Sequence, residues 1–339
     1  MKGRLFISLA AMALAATSAS AQGIDTQRCP PGTVTGGIPD QARASQDACQ
    51  KAIDLFKYLA PQLGTIIAGG NATLGQAGSL GGLGHFSLGL RVNAIQGSLP
   101  QIQNITPSVN GATNTTPIDT KSQLFPMPTA DLAIGIFKGL PLAITNVGGV
   151  DLLVSASYVP EFNSSGVSVK VPNGSLKLGY GARIGILQES LLVPGVSVSY
   201  IRRDLPTANI AANSGNDSLY VNNLALKTTA LRLVASKGFL LFGVAVGVGQ
   251  DKYESSTEIG AHVAARALTP AANAGPVSLS QSITRTNVFG DLSMNLLILK
   301  LTGEIGQVSG GTINTYNTFS GKQAADSRVY GSVGARFGF

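Results

Sequence analysis

The chain has 339 residues, of which 44% are hydrophobic and 12% are charged, and its formal net charge is +7. Beyond residue 21 no apolar run approaches the roughly 18 residues that a membrane-spanning helix needs, so helical spans are excluded. The basic excess is modest and forms no cluster, so the sequence gives no reason to expect nucleic acid as a partner.

The first residues have the pattern of a secretory signal peptide. Lys2 and Arg4 give a basic start, residues 5–16 carry no charge, and a small-residue cleavage motif (Ala-Ser-Ala) ends at Ala21. The alternative is an N-terminal anchor helix, but the apolar stretch is shorter than the roughly 20 residues that cross a bilayer. We therefore expect residues 1–21 to be a cleaved signal peptide.

Residues 22–83 differ from the rest of the chain. Apolar residues recur at helical spacing in residues 45–60, and Pro61 and Gly64 are expected to end that helix. The following stretch, residues 65–83, is Gly-rich and apolar without a clear period. We predict one amphipathic helix followed by irregular chain. Because this segment precedes the first strand, we expect it to begin at the periplasmic end of the fold.

The chain contains two cysteines, Cys29 and Cys49. An exported chain meets an oxidising compartment, where two such thiols pair. The disulfide would stabilise the N-terminal segment by about 3 kcal/mol in the chain-entropy model. Two cysteines without a nearby histidine do not make a metal site, so no metal or cofactor is expected.

From His85 onward the hydrophobic pattern has a period of two. Residues 86–94 and 175–186 are the clearest examples, with an apolar face and a polar face. About twelve such segments can be counted, and an even number from ten to fourteen is expected. Residues 84–339 are therefore predicted to be all-β, an antiparallel transmembrane β-barrel.

Three strand assignments and four loops test this prediction most closely. Residues 239–253 and 256–265 are interpreted as two strands, and residues 278–297 are too long for one plain strand. The parity slips around residues 226–233, which indicates a bulge or a hidden turn. Polar, Asn-, Ser-, Thr- and Gly-containing stretches are predicted to be exposed loops: 97–127, 207–218, 267–276 and 310–327.

Charged residues occur in mid-strand on the polar face. A soluble β-sandwich also has one apolar face, but charges on the other face favour a water-filled lumen with lipid outside. These charges are candidates for solute selectivity; the alternative is that they pair across the lumen and hold the barrel and the N-terminal segment together. The candidates are Arg91, Asp131, Lys177, Arg183, Asp291, Lys300, Glu304 and Arg336.

The last eleven residues alternate strictly between apolar and polar positions and end on an aromatic residue. Tyr330, Phe337 and the terminal Phe339 resemble the closing-strand signature of Gram-negative outer-membrane β-barrel proteins. The resemblance implies an outer-membrane location, contact with outer-membrane lipid, and recognition of this strand by the barrel-assembly machinery.

The N-terminal segment carries a second resemblance. Asn71-Ala72-Thr73, followed by an apolar Gly-rich run into Phe86, is similar to the plug region of FadL-type transporters of hydrophobic compounds, with Ala72 at the place of that family's proline. The resemblance implies a plug in the lumen and uptake of small molecules, including hydrophobic ones.

Motifs for catalysis are missing from the sequence. The two histidines, His85 and His262, are far apart, and there is no Gly-x-Ser-x-Gly elbow, phosphate loop or metal-binding spacing. We therefore predict that the chain is not an enzyme and that its partner is a small-molecule solute. The function expected is a plugged channel or transporter. The alternative is a non-transporting structural or adhesive barrel, with residues 22–83 in the periplasm.

Overall fold

The computed structural model describes residues 23–30, 39–164, 167–265 and 271–338. The predicted signal peptide and Phe339 therefore lie outside the described residues. One long helix, α1 (Pro39–Ala68), precedes all the strands. Among the described residues, no helix combines the length and the hydrophobicity that a membrane-spanning helix requires.

Ten long strands form the main sheet. They are β1 (Phe86–Pro100), β2 (Thr120–Phe137), β3 (Gly149–Tyr158), β4 (Leu176–Leu187), β5 (Gly195–Asp204), β6 (Asp217–Gly238), β7 (Phe242–Val263), β8 (Ala272–Leu296), β9 (Leu299–Ser309) and β10 (Arg328–Gly338). Shorter strands are Pro117–Ile118, Leu140–Leu142, Thr145–Val147, Phe162–Ser164, Val167–Lys170, Ala208–Ser214 and Thr318–Phe319, with a 3-10 turn at Ile102–Asn104.

The long strands close into a ring. Each long strand pairs antiparallel with the next one in the chain, and β1 pairs with β10, where Ile95 faces Tyr330. On the opposite side β5 pairs with β6, where Gly195 faces Ser236. Within the described residues the ring has ten strands, and Ala208–Ser214 continues the sheet from the edge of β6. The predicted all-β antiparallel barrel is confirmed, with a strand number at the lower limit of the expected range.

Several strand boundaries differ from those predicted. The two strands predicted at 239–253 and 256–265 are one strand, β7 (Phe242–Val263), and the segment predicted at 278–297 is part of a single 25-residue strand, β8 (Ala272–Leu296). The outward face of both strands changes from apolar to polar along their length, so the hydrophobic pattern fades although the strands continue. The predicted irregularity in β6 is present as a register shift between Asn222 and Ala225, slightly before the parity slip.

Three predicted loops are shorter than expected. The loop predicted at 97–127 covers only 101–119, because β1 and β2 pair as far as Pro100 and Thr120. The loop predicted at 207–218 contains a strand, Ala208–Ser214, that pairs with β6. In the loop predicted at 267–276, β8 already begins at Ala272. Small and polar residues hid these extensions, since strands that face water on one side carry Asn, Ser and Thr.

The connections differ between the two ends of the barrel. At the end where β1 begins, the connections are residues 138–148, 188–194, 239–241 and 297–298; we call this the turn end. At the other end they are residues 101–119, 159–175, 205–216, 264–271 and 310–327; we call this the loop end.

Helix α1 lies inside the ring and is longer than predicted. It continues through Pro61, whose carbonyl accepts a hydrogen bond from the Thr65 hydroxyl (3.0 Å). Gly64 does not end the helix either: a Cβ there would lie 2.6 Å from the Tyr253 ring, so glycine permits close contact with the wall. Burial on all sides stabilises the helix beyond the point where propensity alone would end it.

The N-terminal segment crosses the lumen from the loop end to the turn end. Near the loop end, the backbone N–H of Asn273 at the start of β8 donates to the Ser45 hydroxyl (3.1 Å), and Cys29 and Cys49 form a disulfide. Near the turn end, the Gly82 carbonyl lies against Gly135 of β2. The segment therefore begins at the loop end, opposite to the end where β1 begins, and the expected periplasmic start stays a prediction.

On the side of the barrel that β7 and β9 form, the outer surface is apolar near the turn end and polar toward the loop end. On β7, the outward residues from Phe242 to Val248 are apolar and exposed. Farther toward the loop end, the outward positions of the same strand are Gln250, Lys252 and Glu254. Such a boundary is typical of a wall whose apolar part is covered by lipid.

Substitution on the inner and outer faces of β7 tests this assignment. Ala245 is buried against the N-terminal segment, so Ala245→Glu places an unpaired charge there and should lower the free energy of unfolding by about 3 kcal/mol or more. Ser256→Glu, at an outward polar position of the same strand, should change it by less than about 0.5 kcal/mol. Urea titration of refolded protein measures both. Equal stability of the two variants would contradict the assignment.

The lumen as candidate functional site

Arginines of the barrel wall bind the backbone where α1 ends. The last carbonyls of a helix have no partner within the helix and carry partial negative charge, and α1 has no basic residue in its last turn. Arg203 donates to the Ala68 carbonyl (2.8 Å), Arg232 to the Gly69 carbonyl (2.9 Å) and Arg91 to the Asn71 carbonyl (2.8 Å). The wall thus supplies the cations that the helix end lacks.

The same arginines are paired with aspartates on the wall. Asp131 lies 2.8 Å from Arg91 and 3.1 Å from Arg203, and Asp251 pairs with Arg232. Arginine keeps its charge in proteins, so burial requires a counter-ion and hydrogen-bond acceptors. Each guanidinium here has both, a carboxylate from the wall and a carbonyl from the N-terminal segment.

Two neighbouring carboxylates bind the next residues of the segment. Asp291 and Glu304 are opposite each other on β8 and β9. Asp291 accepts hydrogen bonds from the Asn71 side-chain amide (2.8 Å) and the Gly75 N–H (2.9 Å), and Glu304 accepts one from the Asn71 backbone N–H (2.7 Å). A Cβ at Gly70 would lie 2.4 Å from the Glu304 carboxyl carbon, so any side chain there would displace this carboxylate.

A further ion pair holds the segment closer to the turn end. Arg183 lies 2.8 Å from Asp151, and its guanidinium also donates to the Thr73 hydroxyl. Asp151 accepts a hydrogen bond from the Leu80 backbone N–H (3.1 Å). At the turn-end mouth, Arg336 donates to the Gln76 side chain. Polar contacts therefore follow the segment from Ala68 to Leu80.

Seven of the eight predicted lumen charges lie around the N-terminal segment. Lys300 contacts the Gly75 carbonyl (3.4 Å), whereas Lys177 is exposed near the loop end of β4. The geometry matches the alternative in which these charges hold the barrel and the segment together, and a role in solute selectivity stays a prediction. The residues gathered around the segment are Arg91, Asp131, Arg183, Asp291, Lys300, Glu304 and Arg336.

Sequence reasoning missed four charged residues of this network: Asp151, Arg203, Arg232 and Asp251. Parity would have found Arg203, because Val196, Val198 and Tyr200 alternate on the outer face and place residue 203 inside. Arg232 could not be assigned to the inner face, because the alternation of apolar and polar residues is interrupted in this part of β6. Local pattern gives no indication that three arginines from three strands converge on one stretch of backbone.

The loop end of α1 is capped by a loop. Asp54 accepts N–H bonds from Tyr316 (3.1 Å) and Asn317 (2.8 Å), and Tyr58 stacks on Phe319 with ring centroids 3.8 Å apart. Burial among these loop residues raises the pKa of the Asp54 carboxyl, although the N–H donors oppose the shift. The helix is thus fixed to residues 310–327 above the barrel wall.

The predicted assembly-signal residues lie on both faces of β10. Tyr330 is buried in the lumen, where its hydroxyl donates to the Asn287 side chain (2.9 Å). Phe337 lies near Phe86 of β1, with ring centroids 6.3 Å apart. Recognition of this strand by assembly machinery stays a prediction. Among the described residues, no group of three or more His, Cys, Asp or Glu side chains is arranged to hold a metal ion.

No protein-family model and no curated protein sequence matches this chain. Among solved structures, it is similar to the translocator domain of the autotransporter NalP from Neisseria meningitidis, with 10% identity, a TM-score of 0.33, and coverage of 75% of this chain and 87% of that one. It is also similar to the CymD monoaromatic hydrocarbon channel, with 13% identity, a TM-score of 0.24, and coverage of 78% and 89%.

A third similar structure is the outer membrane channel DcaP of Acinetobacter baumannii, with 11% identity, a TM-score of 0.19, and coverage of 78% of this chain and 100% of that one. The closed ring and the segment inside it place the chain in a structural class: antiparallel β-barrels with an internal N-terminal segment.

Adjacent arginines on β5 test the role of the buried network. Arg203 is buried between Asp131 and the Ala68 carbonyl, so Arg203→Met should lower the free energy of unfolding by about 3–5 kcal/mol. Arg202 faces outward and pairs with Asp204, so Arg202→Met should change it by less than about 0.5 kcal/mol. Urea titration monitored by heat-modifiable gel mobility distinguishes them. If both variants lose the same stability, Arg203 does not hold the segment.

Proposed function

We propose that this chain is an outer-membrane β-barrel of a Gram-negative-type cell, and that it passes small molecules when its N-terminal segment moves. The apolar part of the outer wall supports the membrane placement, because large exposed apolar residues form a band around the ring. Residues 69–84 form neither a helix nor a paired strand; we refer to this irregular stretch as the plug strand, since it fills the lumen between the end of α1 and the start of β1.

The polar character of the contacts around the plug strand carries this proposal. A group that is hydrogen-bonded to protein can be hydrogen-bonded to water after displacement. The free-energy cost of separating a polar contact is therefore smaller than the number of its hydrogen bonds suggests. Helix α1 is held differently near the loop end, where Ile53 and Phe56 share an apolar cluster with Leu224 and Ile259 of the wall. The plug strand is therefore the part that moves, and α1 is the part that stays.

The wall behind the plug strand suits small hydrophilic solutes. Movement of the plug strand would expose Arg91, Arg203 and Arg232 to water together with Asp291 and Glu304. A lumen lined by both signs of charge favours polar solutes and disfavours apolar ones. The FadL-type resemblance implies hydrophobic compounds, and the chemistry of this wall gives that solute class less support.

The same proposal includes lipid and the assembly machinery as partners, and it includes no catalytic step. Outer-membrane lipid covers the apolar band, and the barrel-assembly machinery reads β10, including Tyr330 and Phe337. Binding and passage of a solute need no bond to be made or broken, so no catalytic residue is assigned.

A non-transporting adhesive or structural barrel is the second candidate. It is favoured by the rigid loop end, where Thr318–Phe319 pairs with Pro117–Ile118 and Tyr58 stacks on Phe319. A cap built from two loops and a helix presents a fixed surface, as a binding partner outside the cell would require.

Planar-bilayer conductance tests the transport proposal. The full mature chain should be nearly silent, whereas Arg91→Met, Arg203→Met and Arg232→Met combined should give frequent openings, because the plug strand loses its cationic partners. Arg202→Met is the matched control and should stay silent, since Arg202 lies on the outer face. If the triple variant folds and inserts but remains silent, the adhesive or structural function is favoured.

A further inference from the structure

The four connections at the turn end carry large apolar side chains at their tips. Leu191 and Leu240 are 90% and 93% exposed, and the remaining large apolar residues of these tips are exposed as well. We call these residues the apolar turn ring; it comprises Leu140–Ile144, Leu191–Leu192, Phe239–Leu241 and Leu297–Ile298. Contiguous exposed apolar surface of this kind marks contact with lipid or with another protein.

Charged groups beside the ring are bonded to the protein instead of pointing away from it. Glu189 accepts a hydrogen bond from the Ser236 hydroxyl (3.1 Å), and the Lys237 ammonium donates to the Leu191 carbonyl (2.9 Å). Lys138, next to the first turn, is exposed, and its long side chain can carry its charge away from an apolar layer. The tips therefore present an almost uncharged surface.

The apolar wall is short on the side of the barrel that β7 and β9 form. There the outward apolar run extends from Phe242 to Val248 on β7 and from Leu299 to Ile305 on β9. Seven residues at a rise of about 3.4 Å and a tilt of about 40° cover a height of about 16 Å, whereas the apolar band of such barrels is about 25 Å tall. The outward apolar runs of β2 (124–136) and β4 (176–186) reach that height by themselves. On the side of β7 and β9 the wall above each run is polar, so the missing height there can come only from the turn end.

We propose that the apolar turn ring is embedded in the hydrocarbon of the turn-side leaflet, with lipid acyl chains as its occupant. The ring is continuous with the apolar band of β7 and β9, which is what selects lipid over a separate protein partner. This inference rests on the proposed membrane placement. The barrel then sits low in the membrane, with its turns in lipid and the upper halves of β6, β7 and β8 outside it.

The absence of tryptophan from the chain makes a direct test simple. Single-tryptophan variants Leu240→Trp and Leu297→Trp are refolded into vesicles of phosphatidylcholine with brominated acyl chains, which quench only tryptophans in contact with lipid. Val246→Trp, on the outward apolar band, is the positive control. Ser256→Trp, on the polar upper part of the same strand, is the negative control.

We expect brominated lipid to lower the fluorescence of both ring variants about twofold, as for Val246→Trp, and aqueous acrylamide to have little effect on them. For Ser256→Trp, acrylamide should lower the fluorescence and brominated lipid should have little effect. If Val246→Trp is quenched by lipid but the ring variants are quenched only by acrylamide, the embedding is wrong and a protein partner or a second copy covers the ring. If Val246→Trp is not quenched by lipid, the membrane placement itself fails.

Gel mobility before and after heating shows whether each variant has folded. Leu191→Trp replaces either ring variant that does not fold, since Leu191 is equally exposed in a different turn.

Discussion

The hydrogen bonds from wall arginines to the carbonyls of residues 68–71 are the constraint on which the lumen depends. A helix that ends inside a barrel leaves carbonyls that water cannot reach, and these need donors from the wall. The arginines need carboxylates in turn, which come from Asp131 and Asp251. Gly70 is part of the same arrangement, because a side chain there would displace the Glu304 carboxylate from the segment.

The N-terminal segment is divided by the chemistry of its surroundings. Near the loop end, α1 packs apolar residues against the wall and is also bonded to a loop through Asp54, whereas the contacts of residues 69–80 are mainly polar. On the side that β7 and β9 form, the outer surface is divided in a parallel way, with apolar residues near the turn end and polar residues toward the loop end. The proposed fixed helix, displaceable segment and wall set low in lipid form one consistent account of a closed barrel.

Sequence pattern predicted the elements whose two faces differ strongly. The alternation in residues 86–94 and the even, ten-to-fourteen-strand barrel follow from period-two hydrophobicity. The pattern could not predict the full length of β7, because both of its faces are partly polar beyond Val248. It was wrong about Pro61 and Gly64, since enclosure by the barrel overrides local helix-ending signals. The convergence of Arg91, Arg203 and Arg232 is a tertiary arrangement that spacing does not encode.

The most direct test of this account is the sidedness of the two ends of the N-terminal segment, because the segment must pass through the whole barrel. Gly23→Cys and His85→Cys place a single free thiol at either end. In intact cells, an impermeant maleimide should label Gly23→Cys, and it should label His85→Cys only after the outer membrane is permeabilised. Labelling of both variants from the same side would contradict the passage of the segment through the lumen.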